Sequence, residues 1–263
     1  MKKLEGRWIL VTGASAGIGE ACARRFADSG ANLILWARRA DRLETLAAEL
    51  RDRHSTDVET RQVDVRDRDL VGREAGALVE SGRVPDVLLN NAGLASGFSF
   101  LHEGDHEDWD RMIDTNVKGL LNVTRSLLPH MVERGTGHVV NIGSTAGHQV
   151  YPRGNVYNAS KFAVKALTEG INLDVAGTKV RVSSVDPGFV HTEFSRVRFH
   201  GDDERAEGVY RGFDPLTPDD VADCVHFVIT RPPHVNVFDV VLLPTAQRNV
   251  YVLDRRDVQQ PEP

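Results

Sequence analysis

The chain has 263 residues, of which 41% are hydrophobic and 27% charged, and its formal net charge is −6. This composition excludes a disordered or fibrous protein, and the length favours one large domain. No block of basic residues is present, which argues against nucleic acid or a membrane surface as a partner. Cys22 and Cys224 lie far apart without metal-ligand spacing, so we expect no metal site and a cytoplasmic setting.

Short apolar runs alternate along the chain with longer amphipathic stretches, which is typical of βαβ units building a parallel sheet. No apolar run approaches the about 20 residues needed to cross a bilayer. We predict at least seven strands, at Trp8–Val11, Asn32–Trp36, Glu59–Val63, Val87–Leu89, His138–Ile142, Val180–Val185 and Phe238–Leu243. The clearest helices are Ile18–Ser29, Asp105–Arg134, Asn155–Ala176 and Pro218–Thr230. The prediction is a single α/β domain over residues 1–253, with a doubly wound parallel sheet flanked by helices, and a polar tail over 254–263.

A glycine-rich turn joins the first strand to the first helix, with the sequence Thr12-Gly13-Ala14-Ser15-Ala16-Gly17-Ile18-Gly19. Gly13 permits a tight turn, Gly17 lets the backbone approach a pyrophosphate, and Gly19 allows the helix to pack closely on the strand. The helix N-terminus offers free N–H groups to phosphates. An ordinary strand-to-helix turn is the alternative, but the position after the first strand favours a dinucleotide site.

The end of the second strand bears on the choice of nicotinamide cofactor. NAD-binding units place an acidic residue there, about 20 residues beyond the glycine turn. Here Ala37 takes that place and is followed by Arg38 and Arg39, whose guanidinium groups would pair with the 2′-phosphate of NADP(H). The alternative is a solvated basic start of the next helix. The sequence therefore favours NADP(H).

A tyrosine and a lysine, Tyr157 and Lys161, stand four residues apart in a strongly helical stretch and share one helix face. A nearby cation favours phenolate, so we expect a lowered pKa that makes Tyr157 a candidate acid and base. Ser144 follows the fifth predicted strand, at the edge where α/β sheets bind ligands. Asn116 is polar within the long predicted helix, where it could bend the helix or bind water; an exposed residue is the alternative.

In order and spacing, Asn116, Ser144, Tyr157 and Lys161 resemble the catalytic tetrad of the short-chain dehydrogenase/reductase family. The glycine turn, Asn90-Asn91-Ala92-Gly93 and Asp186-Pro187-Gly188 resemble further motifs of that family, so the resemblance covers nearly the whole chain. The last motif usually begins with Asn or Ser, so Asp186 is a departure. The resemblance implies a single-domain, NADP(H)-binding Rossmann fold.

The resemblance also implies the role of each residue. Tyr157 would give a proton to the substrate carbonyl as hydride arrives, with Ser144 polarising that carbonyl. Lys161 would bind the nicotinamide ribose, and Asn116 would hold a water for proton relay. Asp64 and Val65 would meet the adenine; the alternative for Asp64 is to cap the following helix. The expected cofactor-binding residues are Gly13, Ser15, Gly17, Ile18, Gly19, Arg38, Arg39, Asp64, Val65, Asn90, Ala92, Gly93, Tyr157, Lys161, Pro187, Gly188, Val190 and Thr192.

The carboxy-terminal third resembles the NADP-dependent 3-hydroxy acid (serine-type) dehydrogenases, on the segments 192–199, 201–203 and 232–236. Members of that branch oxidise serine and other small 3-hydroxy acids, and relatives reduce sulfoacetaldehyde or ketones. An anionic substrate needs a cation, so we expect Arg153, Phe194 and Arg198 at the substrate, with Arg153 as a clamp or, alternatively, an exposed loop residue. Arg196 lies in the same region. Residues 193–210 would form the substrate lid.

Two other functions stay open at this point. One is a broad carbonyl or ketone reductase, whose pocket would be lined by Phe194, Phe199 and Val150. The other is a non-enzymatic NADPH-sensing protein, against which the complete tetrad argues. The resemblance further implies a homo-tetramer built on the long helices, which carry Leu121 and other apolar residues beyond one buried stripe.

Overall fold

The computed structural model describes residues 3–255, in which seven strands form one sheet. The strands are β1 Trp8–Thr12, β2 Asn32–Ala37, β3 Val58–Gln62, β4 Val87–Asn90, β5 Thr136–Ile142, β6 Lys179–Pro187 and β7 Asp239–Leu242. Every neighbouring pair is parallel, and the spatial order is β3-β2-β1-β4-β5-β6-β7. The predicted seven-stranded parallel sheet is therefore confirmed. Its order reverses between β1 and β4, which is where such sheets bind ligands.

Helices cover both faces of this sheet. They are α1 Gly17–Asp28, α2 Ala40–Arg53, α3 Arg68–Glu80, α4 His106–Ile113, α5 Leu120–Arg134, α6 Asn155–Asp174, α7 Phe194–Arg198, α8 Asp203–Gly208 and α9 Pro218–Ile229. None of the helices in residues 3–255 is long and apolar enough to cross a membrane.

The stretch Asp105–Arg134, which the sequence suggested as one helix, is divided in the structure. A π-helical turn, Asp114–Gly119, separates α4 from α5. This turn contains Asn116, whose side chain bonds to the backbone of Leu94 outside the helix. A side chain pulled toward a neighbouring loop is a physical cause for a local departure from the α-helical ladder.

The core consists of two apolar layers, one on each face of the sheet. Along β1, Ile9 and Val11 belong to the layer shared with α1, α2 and α9, whereas Leu10 belongs to the layer shared with α3, α5 and α6. This alternation follows from the two-residue period of a strand. Because both faces are covered, all three side chains are fully buried. Their burial contributes about 1.5–3 kcal/mol each to stability.

The predicted polar tail over 254–263 lies mostly outside the described residues, which end at 255. Its first two residues pack on the domain. Asp254 N donates to Ala246 O at 2.9 Å, and Arg255 Nη2 donates to Val209 O at 2.8 Å. The Arg255 guanidinium also lies 5.2 Å from the ring centroid of Phe213.

Candidate active site

The glycine-rich turn has the backbone that only glycine adopts readily. Gly13 and Gly17 have φ values of 66° and 56°, in the left-handed region. A Cβ on Gly19 would lie 2.5 Å from Gly13 O and from Nδ2 of Asn91, so α1 packs directly against the turn. Within the described part of the chain no side chain caps α1 at Ala16. Gly17 and Ile18, the first residues of this helix, line the cavity described next, and uncapped amides at a helix N-terminus suit a phosphate.

An elongated cavity of about 340 Å³ runs along the carboxyl ends of the central strands. Every residue expected to hold the cofactor lines it, except Gly19 and Asn90. Further lining residues, which were not among the expected cofactor-binding residues, include Asn91, Leu94, Thr115, Glu193 and Val197. Asn91 belongs to the motif after β4, and Glu193 and Val197 belong to the expected lid, but no sequence signal indicated that Glu193 would contact Arg39.

Asn90 was expected to frame the cofactor, and the structure places it in the core instead. Its Nδ2 donates to Thr124 Oγ1 and to Asn141 Oδ1, both at 2.9 Å. It is 6% exposed, and it joins β4 to α5 and β5. The reason is the alternation of the strand, because Asn90 is the last residue of β4 and Asn91 turns toward the cavity. Gly19 likewise lies beneath the turn and supports Gly13.

Tyr157 and Lys161 lie on one face of α6 and point to the carboxyl end of β5. Both are buried, with 8% and 7% of their surface exposed. Lys161 Nζ lies 6.0 Å from the Tyr157 ring centroid and donates to Ile142 O at 2.9 Å. Ser144 follows β5 after one glycine, and its Oγ accepts from Ala146 N at 3.1 Å. All three side chains line the same cavity.

The expected lowering of the Tyr157 pKa is not what this environment produces. Burial raises the pKa of Tyr157 above its ordinary value, and the hydrogen bond with Ser144 offsets this only in part. Burial also lowers the pKa of Lys161 to about 8, against the opposing charge of Asp186. Loss of water around the phenol outweighs the lowering of the pKa by Ser144 and by the Arg198 guanidinium. Tyr157 is therefore a protonated phenol at neutral pH, suited to donate a proton.

Asn116 is held entirely by protein groups. Its Oδ1 accepts from Leu94 N at 2.8 Å, and its Nδ2 donates to Leu94 O at 2.8 Å and to Ser160 Oγ at 3.0 Å. It is 2% exposed and does not line the cavity. The side chain ties the π-helical turn to the loop after β4 and to α6. Its role in holding a water stays a prediction.

Arg38 and Arg39 line the cavity beside the glycine turn, and Arg42 lies next to them outside its lining. Arg39 Nε donates to Ser15 Oγ at 3.2 Å, and its Nη1 lies 2.9 Å from Oε2 of Glu193. Arg42, one turn further along α2, reaches Oε1 of the same carboxylate at 2.8 Å. Glu193 thus pairs with Arg39, one of the two arginines that the sequence assigned to the 2′-phosphate, and with Arg42.

Asp64 also lines the cavity. The alternative role as a helix cap is wrong, because Asp67 caps α3 and accepts from Leu70 N at 2.9 Å. Asp64 instead pairs with Arg66, whose Nη2 lies 2.6 Å from its Oδ2. That hydrogen bond lowers the pKa of Asp64, so the residue is a carboxylate.

Of the residues expected at the substrate, Phe194 and Arg198 lie closest to the tyrosine. The Phe194 ring packs edge-on to Tyr157, with centroids 5.6 Å apart. The Arg198 guanidinium lies 5.5 Å from the Tyr157 ring centroid, and its Nη1 donates to the hydroxyl of Tyr151 at 3.0 Å. Arg198 lines a smaller cavity that also borders Tyr157. A guanidinium is therefore present next to the Tyr157 phenol.

Arg153 and Arg196 are placed differently. The Arg153 guanidinium lies 4.6 Å from the Phe100 ring centroid, at the wall of the smaller cavity. Arg196 points to solvent, with its side chain 62% exposed and paired with Asp203 at 2.9 Å. It lines neither of these two cavities.

The expected lid contains α7 and α8 and rests on the loop after β4. Gly97 N donates to Arg198 O at 2.9 Å, and His200 Nε2 lies 3.2 Å from Oδ2 of Asp108 on α4. Together with Glu193 at its beginning, these contacts hold the segment over Tyr157.

Comparisons with known proteins agree with this geometry. Residues 7–203 match the short chain dehydrogenase family. The chain is 48% identical over 240 residues to NADP-dependent 3-hydroxy acid dehydrogenase YdfG of Salmonella typhi, covering 91% of this chain and 95% of that protein. It is 45% identical over 249 residues to sulfoacetaldehyde reductase 2 of Chromohalobacter salexigens, covering 94% and 98%.

The fold is likewise similar to solved structures. The closed form of serine dehydrogenase complexed with NADP+ superposes with a TM-score of 0.89 at 44% identity, covering 95% of this chain and 99% of that one. Serine dehydrogenase from Escherichia coli gives a TM-score of 0.79 at 41% identity, covering 92% and 99%. The chain belongs to the short chain dehydrogenase family.

Proposed function

We propose that this protein is an NADP(H)-dependent oxidoreductase that interconverts a small anionic hydroxy compound and its carbonyl form. A 3-hydroxy acid such as serine, or a sulfonate resembling sulfoacetaldehyde, fits the proposal. The observation that carries it is the Arg198 guanidinium, 5.5 Å from the ring of the proton donor Tyr157. The relatives named for 3-hydroxy acid, serine and sulfoacetaldehyde chemistry support the same substrate class.

The cavity has the chemistry that NADP(H) requires. Gly13 and Gly17 leave room for a pyrophosphate at the start of α1, and Arg38 and Arg39 supply cations for a 2′-phosphate. A Cβ on Gly93 would lie 3.2 Å from Oδ1 of Asn116 and 3.8 Å from Lys161 Nζ, so this wall is kept open beside the lysine. Bound NADP(H) would supply or accept the hydride.

The chain's own residues move the proton. In reduction, Tyr157 gives its phenol proton to the carbonyl oxygen, and Ser144 donates a hydrogen bond to that oxygen. Lys161 places a positive charge beside the phenolate that is left. Asn116 fixes the backbone near Lys161 and would position a relay water. Oxidation of the alcohol reverses these steps.

The substrate's anionic group would lie against Arg198, with Arg153 further out and Phe194 covering the apolar side. Bidentate pairing suits a carboxylate or sulfonate to a guanidinium. The test measures NADPH oxidation with anionic carbonyl compounds and with neutral ketones of similar size. Arg198→Ala should lower kcat/KM for the anionic substrates by about 10- to 100-fold, the value of one charge-assisted hydrogen bond.

The matched control is Arg196→Ala, because Arg196 lies on the same helix but points to solvent. It should leave kcat/KM for both substrate classes nearly unchanged. An equal loss with neutral and anionic substrates in Arg198→Ala would favour the broad carbonyl reductase. In that case Phe194 would line the pocket, but Val150 is 57% exposed and contributes to neither of the two cavities. No NADPH oxidation with any carbonyl would favour a sensor.

We further propose a cytoplasmic homo-tetramer. The two long helices α5 and α6 expose large apolar side chains, with Leu121 at 41%, Phe162 at 41% and Leu173 at 73%. Exposed apolar groups of this kind on neighbouring helices suit a contact between copies of the chain. Light scattering in solution tests the assembly, and Phe162→Glu should dissociate it.

A further inference from the structure

A second group of charged side chains lies behind the catalytic pair, at the carboxyl end of the sheet. Asp186 is 2% exposed near the end of β6, His148 lies shortly after β5, and Asp239 begins β7. One side-chain nitrogen or oxygen from each of these three lies within 4.8 Å of the others. Lys165 joins them from α6, one turn beyond Lys161. The roles proposed above use none of these four residues.

The hydrogen bonds within this group determine which ring nitrogen of His148 donates and which accepts. Lys165 Nζ lies 3.0 Å from His148 Nδ1, and an ammonium can only donate. Nδ1 therefore accepts, and the ring hydrogen of a neutral imidazole stands on Nε2, which donates to Asp186 Oδ2. The other carboxylate oxygen accepts from the hydroxyl of Ser184. Donors thus surround Asp186, as a buried carboxylate requires.

Asp186 touches the backbone that positions the catalytic residues. A Cβ on Gly143 would lie 1.9 Å from Oδ1 of Asp186, so the carboxylate packs directly against this backbone and leaves room only for glycine. The preceding residue, Ile142, accepts the hydrogen bond of Lys161 Nζ at 2.9 Å, and the following residue is Ser144. Burial raises the pKa of Asp186, and the hydrogen bonds from Ser184 and His148 oppose that rise, so donors hold a buried carboxylate directly behind the site.

The negative charge of Asp186 affects the pKa values of both Lys161 and Tyr157. Burial lowers the pKa of Lys161 to about 8, and the charge of Asp186 opposes that fall. Burial raises the pKa of Tyr157, and the charge of Asp186 adds to that rise. Both effects favour the protonated forms. The titratable groups that face Asp186 are His148 after β5, Tyr157, Lys161 and Lys165 on α6, and Asp239 on β7.

We propose that Asp186 is a positioning residue for carbonyl reduction, whose buried charge keeps Lys161 protonated. The inference rests on the proposed function. As the hydride adds to the carbonyl carbon, the phenol proton moves to the carbonyl oxygen and the product is an alcohol. The reaction therefore needs the phenol proton of Tyr157 and the positive charge of Lys161 at once. An uncharged residue at position 186 would release the Lys161 proton at lower pH.

The test is the pH profile of kcat/KM for NADPH-dependent reduction by wild type, Asp186→Asn and Asp239→Asn. In Asp186→Asn the alkaline limb should move to lower pH by about one unit, the effect of a unit charge at short range. Activity on that limb then falls about tenfold at fixed pH, while activity near the plateau changes little. Asp239→Asn is the control, because its carboxylate is partly exposed, and its limb should stay in place.

Asp186→Ser removes the same charge with a smaller side chain. If one of the two variants fails to fold, the pH profile of the other still shows whether the alkaline limb moves. NADPH binding, followed by fluorescence, identifies the folded variants. A uniform loss of activity with an unmoved limb would show a purely structural role and overturn the inference. Absence of turnover in the wild type would instead refute the proposed function, which separates the two failures.

Discussion

The pair Arg38 and Arg39 gives a prediction whose size follows from the structure. A hydrogen bond to a charged group contributes about 1.5–3 kcal/mol, so two guanidinium groups on a 2′-phosphate would contribute more than 3 kcal/mol in isolation. Two factors reduce this. The Arg39 side chain is 42% exposed, and it must leave its ion pair with Glu193, which is itself worth about 0.2–1 kcal/mol. The net expectation is about 2–3 kcal/mol.

Replacing both residues, Arg38→Ala with Arg39→Ala, should therefore weaken NADPH binding by about 30- to 150-fold. NADH lacks the 2′-phosphate, so its dissociation constant should change by less than about threefold. Fluorescence titration of each cofactor measures both values. Arg42→Ala is the matched control, because Arg42 pairs with the same Glu193 but does not line the cavity. Equal losses for NADPH and NADH would refute the assignment of the 2′-phosphate site.

Two further predictions concern the glycine turn and the residue that reaches toward it. Glu193→Gln should tighten NADPH binding by about two- to fivefold, because the carboxylate no longer competes for Arg39; weaker binding would mean that Glu193 orients the arginine. Gly19→Ala should lower the free energy of unfolding by about 1–3 kcal/mol, since its Cβ would meet Gly13 O at 2.5 Å. Gly76→Ala, a helical position with open space around it, should instead be neutral or stabilising in the same denaturant titration. Equal effects of these two substitutions would contradict the packing described for Gly19.

Local signals in the sequence predicted much of this molecule. The sheet could be predicted because its strands are buried on both faces and therefore form continuous apolar runs. Tyr157 and Lys161 could be paired because one helical turn fixes their relation, whatever surrounds them. The glycine turn is equally local, since the need for a positive φ belongs to Gly13 and Gly17 themselves.

Features that depend on distant partners could not be predicted. Glu193 contacts Arg39 across 154 positions of the chain, so no local pattern marks it. Arg196 and Arg198 are equivalent in sequence, and only the orientation of α7 sends one to solvent and the other to Tyr157. The direction of the Tyr157 pKa depends on how completely the fold buries the phenol, which spacing along a helix does not reveal.

Transfer of deuterium from NADPH that carries deuterium at both C4 positions to a small anionic carbonyl compound tests the central claim most directly. Mass spectrometry of the product should show one deuterium at the former carbonyl carbon with the wild type. Tyr157→Phe should bind NADPH as tightly but form product at least about a hundredfold more slowly. Deuterium-labelled product at the wild-type rate from Tyr157→Phe, or no labelled product from the wild type, would contradict the account.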